Sequence, residues 1–187
     1  MTQKLWQEKP KLNYSKDVFD IAQFGSSIFE DSKPNDIDIA IIFNKIPVKE
    51  QLNQSQEIKK QLQKYSSLPI HVSSFDLYNF FDSGNFARDS ILFYGRSLVS
   101  GKYFSEKFNL SPKLQISYSL KNLKKKDKIR FNYMLNGKKG KYGLSRQYGG
   151  KIISPGIIEI MPECEKIFIQ SIKTITDKFT LKKTFSL

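Results

Sequence analysis

The segment DIDIAIIF, residues 36–43, constrains this chain more than any other. Its alternation reads as a strand, with Ile37, Ile39, Ile41 and Phe43 on one face and Asp36, Asp38, Ala40 and Ile42 on the other. Carboxylates at i and i+2 of a strand project from the same face. A solvated acidic turn does not explain two aspartates inside an apolar run. Carboxylates so placed can share or bracket a hard cation such as Mg²⁺. Two such ions about 4 Å apart can activate an attacking hydroxyl and neutralise a triphosphate during in-line displacement.

A triphosphate also has to be held. Upstream, DVFDIAQF (17–24) reads as a strand leading into Gly25-Ser26-Ser27. Glycine permits a tight turn and close backbone approach, and the serines supply hydroxyls. A short helix beginning on the serines, Ser27 to about Asp31, would turn its unpaired N–H groups toward an anion. SKPN (32–35) is a turn by composition.

A Gly-Ser turn, a spacer of nine residues and Asp36-Ile37-Asp38 within an apolar strand resemble the signature of the polymerase-beta-like nucleotidyltransferase superfamily, in particular its minimal members. Phe24 before the glycine and the isoleucines around the acids fit as well, and so does SILFYGRSLVSG (90–101). The resemblance covers about residues 17–101. It implies a small mixed-sheet α/β (α+β) core in which Asp36 and Asp38 bind Mg²⁺, or Mn²⁺, and Gly25, Ser26 and Ser27 hold the phosphates of an NTP such as ATP. Two departures stand out. The family places a third carboxylate on a later strand; the matching strand, LPIHVSSF (68–75), carries His71 there. His71 then serves as base or nitrogen ligand, favouring Mn²⁺, or Asp76 reaches in from the strand end, or the site binds nucleotide and transfers poorly. Many relatives also have an arginine just after the serine. Here Ile28 and Phe29 follow, and Lys33 is the nearest cation to meet the triphosphate.

The remaining pattern fills in around this core. Pro47 opens a helix to about Tyr65, with Leu52, Ile58 and Leu62 as its apolar face. Residues 76–95 read as helical segments ended by Gly95, and 96–101 as a short strand or extended turn. FNLSPK (108–113) reads as a linker, giving a catalytic domain over 1–107 and a second module over 114–187. In the module, 124–137 is a helix stopped by Gly137, 141–150 one or two helical turns, and 151–160 a hairpin around Pro155-Gly156. A helix from Pro162 presents Cys164, Ile167, Phe168, Ile172 and Ile175 at helical spacing. This order is compatible with a winged-helix-like module.

Charge separates the two parts. Residues 1–110 hold 14 Lys+Arg against 13 Asp+Glu, whereas residues 111–187 hold 17 against 5, a net +12 of the chain's +13. Such asymmetry points to a polyanion. No basic helix with a broad apolar face stands out, which favours nucleic acid over an acidic membrane. Lys124, Lys125, Lys126, Arg130, Lys138, Lys139, Lys141 and Arg146 are interleaved with Tyr118, Phe131, Tyr133, Tyr142 and Tyr148, the mixture that contacts phosphates and stacks on unpaired RNA bases, with Tyr142 and Tyr148 the better surface candidates. Phe131 in the same stretch reads as core.

Other classes are excluded. The single cysteine, Cys164, forms no internal disulfide, and with one histidine there is no Cys/His metal cluster. No run of about 18 apolar residues and no apolar stretch at the N-terminus (1–13) exists, so a cytoplasmic protein without membrane anchor or leader is expected. The expected activity is metal-dependent transfer of NMP from an NTP to an RNA 3′ end such as that of tRNA. The alternatives are transfer to a protein or small-molecule hydroxyl, as in toxin–antitoxin nucleotidyltransferases, and a nucleic-acid-binding protein with a degenerate site.

Overall fold

The computed structural model describes residues 9–82 and 84–187, so the expectation about the N-terminal leader falls largely on residues outside the described ones. The chain forms two compact units. The first comprises the residues up to Ile28 together with Ser32–Asn109, and the second comprises Phe29–Asp31 and Leu110–Leu187. The fold is mixed α+β, with helices and with sheets of both mixed and antiparallel strands. Among the described residues no helix is long and apolar enough to cross a membrane.

The first unit runs β1 (Val18–Phe24), β2 (Ile37–Phe43), α1 (Val48–Gln63), β3 (Ile70–Asp76), α2 (Leu77–Phe80), α3 (Arg88–Tyr94) and β4 (Arg96–Ser97). Single 3-10 turns lie at Gly25–Ile28 and Phe104–Phe108. The helix expected over Ser27–Asp31 is thus one turn, and it begins earlier, on Gly25. The sheet order is β3-β2-β1-β4, with β2 antiparallel to β1 and parallel to β3. Both faces of β2 are covered. Ile37, Ile39, Ile41 and Phe43 pack with Ile58 and Leu62 of α1. Ala40 and Ile42 pack with Phe80, Ile91 and Phe104 on the opposite face.

α1 does not bury Leu52, which is exposed. Its inward stripe is Gln51, Ser55, Ile58 and Leu62. These positions repeat at helical spacing, and Leu52 stands about 100° off them. The two polar members are satisfied where they are buried: Gln51 Nε2 donates to Ile46 O at 3.0 Å, and the Ser55 and Ser74 hydroxyls meet at 2.6 Å.

A buried charge holds β1 to the end of the unit. Asp20 is fully buried, accepts from Ser97 Oγ and from the Ile21 N–H, both at 2.7 Å, and lies 3.3 Å from Lys107 Nζ. Burial raises its pKa, partly opposed by Ser97 and Lys107.

The second unit runs β5 (Ser111–Tyr118), α4 (Lys125–Asn136), β6 (Gly137–Lys138), β7 (Lys141–Tyr142), α5 (Leu144–Gln147), β8 (Lys151–Ser154), β9 (Ile157–Ile160), α6 (Glu165–Lys173) and β10 (Phe179–Ser186). Helix, short helix, hairpin and helix occur in the order expected, but the β6–β7 pair takes residues 141–142 out of the segment read as helical turns, and β5 and β10, which the sequence reading leaves unassigned, flank the series. β5 also begins inside the segment read as a linker, a correction at residues 111–113. The sheet is antiparallel in the order β10-β5-β9-β8. Pro112 fits because β9 pairs only with Leu114–Ser117, leaving the start of β5 with one neighbour. Leu114, Ile116, Phe131, Leu135, Ile158, Phe168 and Ile172 are buried in this unit. Phe131 is therefore core, its ring 4.6 Å from that of Tyr118.

Candidate active site and basic surface

The register of β2 and β3 assembles the first site. Parallel pairing sets Asp38 beside His71, one step along from Ile37 beside Ile70. Ile37 and Ile70 belong to the core on the α1 side. Alternation therefore turns Asp38 and His71 together to the other face. Asp36 precedes β2 by one residue, and its Oδ2 lies 3.5 Å from His71 Nδ1. The His71 side chain is 64% exposed and that of Asp36 35%, so the pair opens to solvent. Asp38 is less open. Its carboxyl is pushed above the usual range, first by burial and then by the negative charge of Asp36, with His71 opposing.

The Gly-Ser turn closes on these groups. β1 pairs Phe24 with Asp38, and the next residue, Gly25, has φ +76°. A Cβ on Gly25 would lie 2.2 Å from Asp38 Oδ2. Only glycine lets the backbone bend here with the carboxylate in place. Ser26 is exposed beside them. Ser27 is not: it is 3% exposed, accepts from Gln23 Nε2 at 3.0 Å and donates to Phe24 O at 3.2 Å. Its hydroxyl is spent on the turn, which corrects the phosphate-binding role expected of it. Lys33 is exposed in the connection to β2.

Asp76 is at the wrong end. It pairs with Phe43, five residues beyond His71, about 16 Å along an extended strand. Its Oδ1 accepts from the Tyr78 and Asn79 N–H groups, capping α2. Asp76 therefore stands away from Asp36 and Asp38, and His71 is the side chain paired beside Asp38.

Among the described residues no three His, Cys, Asp or Glu side chains converge as a ready-made metal cage. The donors present fit a different kind of site. Mg²⁺ is usually held by one or two carboxylates, with waters and substrate phosphate oxygens completing its shell. Asp36 and Asp38 provide that pair, and the charge of one already raises the pKa of the other.

In the second unit Lys124, Lys125, Lys126, Arg130, Lys138, Lys139, Lys141, Tyr142 and Arg146 are all exposed. Tyr148 is half-buried, so it is less of a surface residue than its Gly-rich surroundings suggest. Tyr133, one of the aromatics interleaved with the basic residues, is 43% exposed with Lys138 Nζ 5.4 Å from its ring centroid. Helical spacing carries the signal for it: Phe131 and Leu135 are the buried i, i+4 pair, and Tyr133 stands midway, about 200° around α4.

Comparison with protein-family models, curated proteins and solved structures finds no match to this chain.

Proposed function

We propose that the first unit transfers a nucleotidyl group from an NTP to an acceptor hydroxyl, and that the second unit holds the acceptor, an RNA 3′ end. One observation carries this reading: Asp36, Asp38 and His71 gather at one end of β2 and β3, with the Gly25 turn packed to within a missing methyl of Asp38. That arrangement pairs carboxylates for a cation with a backbone turn suited to a polyphosphate.

Asp36 and Asp38 would hold Mg²⁺ or Mn²⁺, which supplies charge neutralisation for the polyphosphate. The Gly25 backbone and the Ser26 hydroxyl orient the phosphates. The acceptor hydroxyl oxygen attacks the α-phosphorus, the bond to the β-phosphate oxygen breaks, and pyrophosphate leaves. His71, solvent-accessible and beside Asp36, takes the hydroxyl proton. The net charge of +12 over residues 111–187 supports a polyanionic acceptor.

A second reading is favoured by His71, rather than a third carboxylate, standing beside Asp38 in the β2–β3 register: the unit binds nucleotide without transferring it. Incubation with each α-labelled NTP, total RNA and Mg²⁺ or Mn²⁺ separates the cases. Label in RNA supports the proposal. Label in protein points to a protein hydroxyl as acceptor. Nucleotide binding without label transfer supports the second reading.

A further inference from the structure

We propose that the β6–β7 hairpin, with the last turn of α4 and the start of α5, is a base-stacking clamp for single-stranded nucleic acid, its platforms Tyr133 and Tyr142. The inference rests on the reading that the second unit binds nucleic acid, and it names which form of nucleic acid and which side chains.

The hairpin is built backbone against backbone. Gly137 ends α4 with φ +88°, and a Cβ there would lie 2.2 Å from Lys141 O. A Cβ on Gly143 would lie 2.3 Å from Leu135 O. The two glycines thus fold β6 and β7 tightly against the end of the helix. Tyr142 pairs across the ladder with Gly137. Its cross-strand neighbour has no side chain to pack on, and Tyr142 is 61% exposed. Arg146 lies over that ring with its guanidinium carbon 4.0 Å from the centroid. Tyr133, one turn before Gly137, carries Lys138 in the same manner. Each platform is an aromatic ring joined to a cation, the combination that holds a base face and its phosphate together.

The same hairpin is electrostatically unfavourable alone. Lys138 pairs directly opposite Lys141, with Lys139 next in sequence. Like charges directly opposite in a ladder repel. A phosphate backbone between them removes that repulsion. Exposed rings need unpaired bases, because a duplex hides base faces in its own stack, and this selects single strands.

The test uses the full chain and three labelled probes: a 12-nucleotide single-stranded RNA, the same sequence as a duplex, and an abasic strand of equal length. Tighter binding of the single strand than of the other two is expected. Tyr133→Ala and Tyr142→Ala should each weaken single-strand binding about 5- to 150-fold and leave the salt slope unchanged, while Tyr→Trp at either position keeps affinity. Lys138→Ala should reduce the log–log salt slope by about 0.7. Circular dichroism and melting temperature identify variants that merely misfold, and the Trp variants then carry the test. Equal, salt-dependent binding of all three probes, or alanine variants that bind like wild type, would overturn the clamp and leave nucleic-acid binding standing. Binding of phosphatidylserine vesicles with none of the RNA probes would overturn both.

Discussion

Gly25 and Asp38 share one space: the position a Cβ on Gly25 would take lies 2.2 Å from Asp38 Oδ2. Gly25→Ala must therefore push the carboxylate aside, and it also forces an L side chain into positive φ, at about 1–2 kcal/mol. Displacing a catalytic group by about 1 Å reduces rate roughly 100-fold. Transfer by Gly25→Ala should fall by that order while the melting temperature drops only a few degrees. Normal transfer by the alanine variant would detach the turn from the site.

Asp38 should be a residue kept at the expense of stability. Its pKa is raised above 3.8 in the folded state by burial and by Asp36. Folding then favours the protonated form, so its contribution to stability is complete below 3.8 and is lost as pH rises through the raised value. Asp38→Asn removes the penalty. The variant should melt at least as high as wild type at pH 7, with the difference shrinking toward acid pH, while transfer falls about 100-fold or more. Added Mg²⁺ with NTP should raise the melting temperature of wild type and not of Asp38→Asn. Asp36→Asn should lose transfer in the same way. A melting temperature depressed at neutral pH in Asp38→Asn would make this carboxylate a structural group.

His71 and Asp76 stand at opposite ends of β3 and should behave oppositely. His71→Ala should reduce transfer about 100-fold or more through loss of the proton acceptor, with the fold intact. Asp76→Ala should transfer normally and lose about 1 kcal/mol from the α2 cap. His71→Asp should shift preference from Mn²⁺ toward Mg²⁺, since a carboxylate oxygen suits the harder ion. Kinetics in both metals with all three variants decide the matter, and unaltered transfer by His71→Ala would remove the residue from the reaction.

Lys124, Lys125 and Lys126 crowd the N-terminal end of α4, which starts at Lys125 and has no side-chain cap. Cations at that end oppose the helix dipole, at about 0.3–1 kcal/mol each. Replacing all three by Glu should raise the melting temperature of the free protein and weaken RNA binding most at low salt. Unchanged RNA affinity would return these lysines to ordinary solvated surface.

Lys107→Met should leave Asp20 buried without its cation. Breaking a buried pair from one side costs about 3–5 kcal/mol. Because burial already raises the Asp20 pKa, the variant should recover stability as pH is lowered and the carboxyl protonates. Denaturant melts at pH 5 and pH 8 give the comparison; equal losses at both would remove Asp20 as the cause.

Much of the first unit was legible because its signals are local and periodic. Alternation in residues 36–43 gave β2 and the face of its two acids, whereas the place of His71 beside them was implied only by the resemblance and is seen in the β2–β3 register. Leu52 was misplaced because sparse apolar residues leave the phase of a helix open, and polar Gln51 and Ser55 took the inner stripe by finding hydrogen-bond partners. Ser27 differs from Ser26 only in which way a one-turn helix points it. In the second unit, β10 reads FTLKKTFS and lies with most residues exposed, so burial leaves no alternation in it to read. Its place comes from pairing with β5, a partner more than 60 residues away.

That distant pairing has a consequence for how the second unit forms. Ser111 faces Ser186 and Tyr118 faces Phe179, so β5 lies between two strands that both follow it by dozens of residues. During synthesis β5 emerges first and waits, with both hydrogen-bonding edges open, until β9 and then β10 leave the ribosome. Long-range pairings of this kind are slow to close, and an open edge is a template for unwanted partners. Pro112 lacks a donor, and Lys113 puts a charge on the waiting strand. Both features guard this edge until its neighbours arrive.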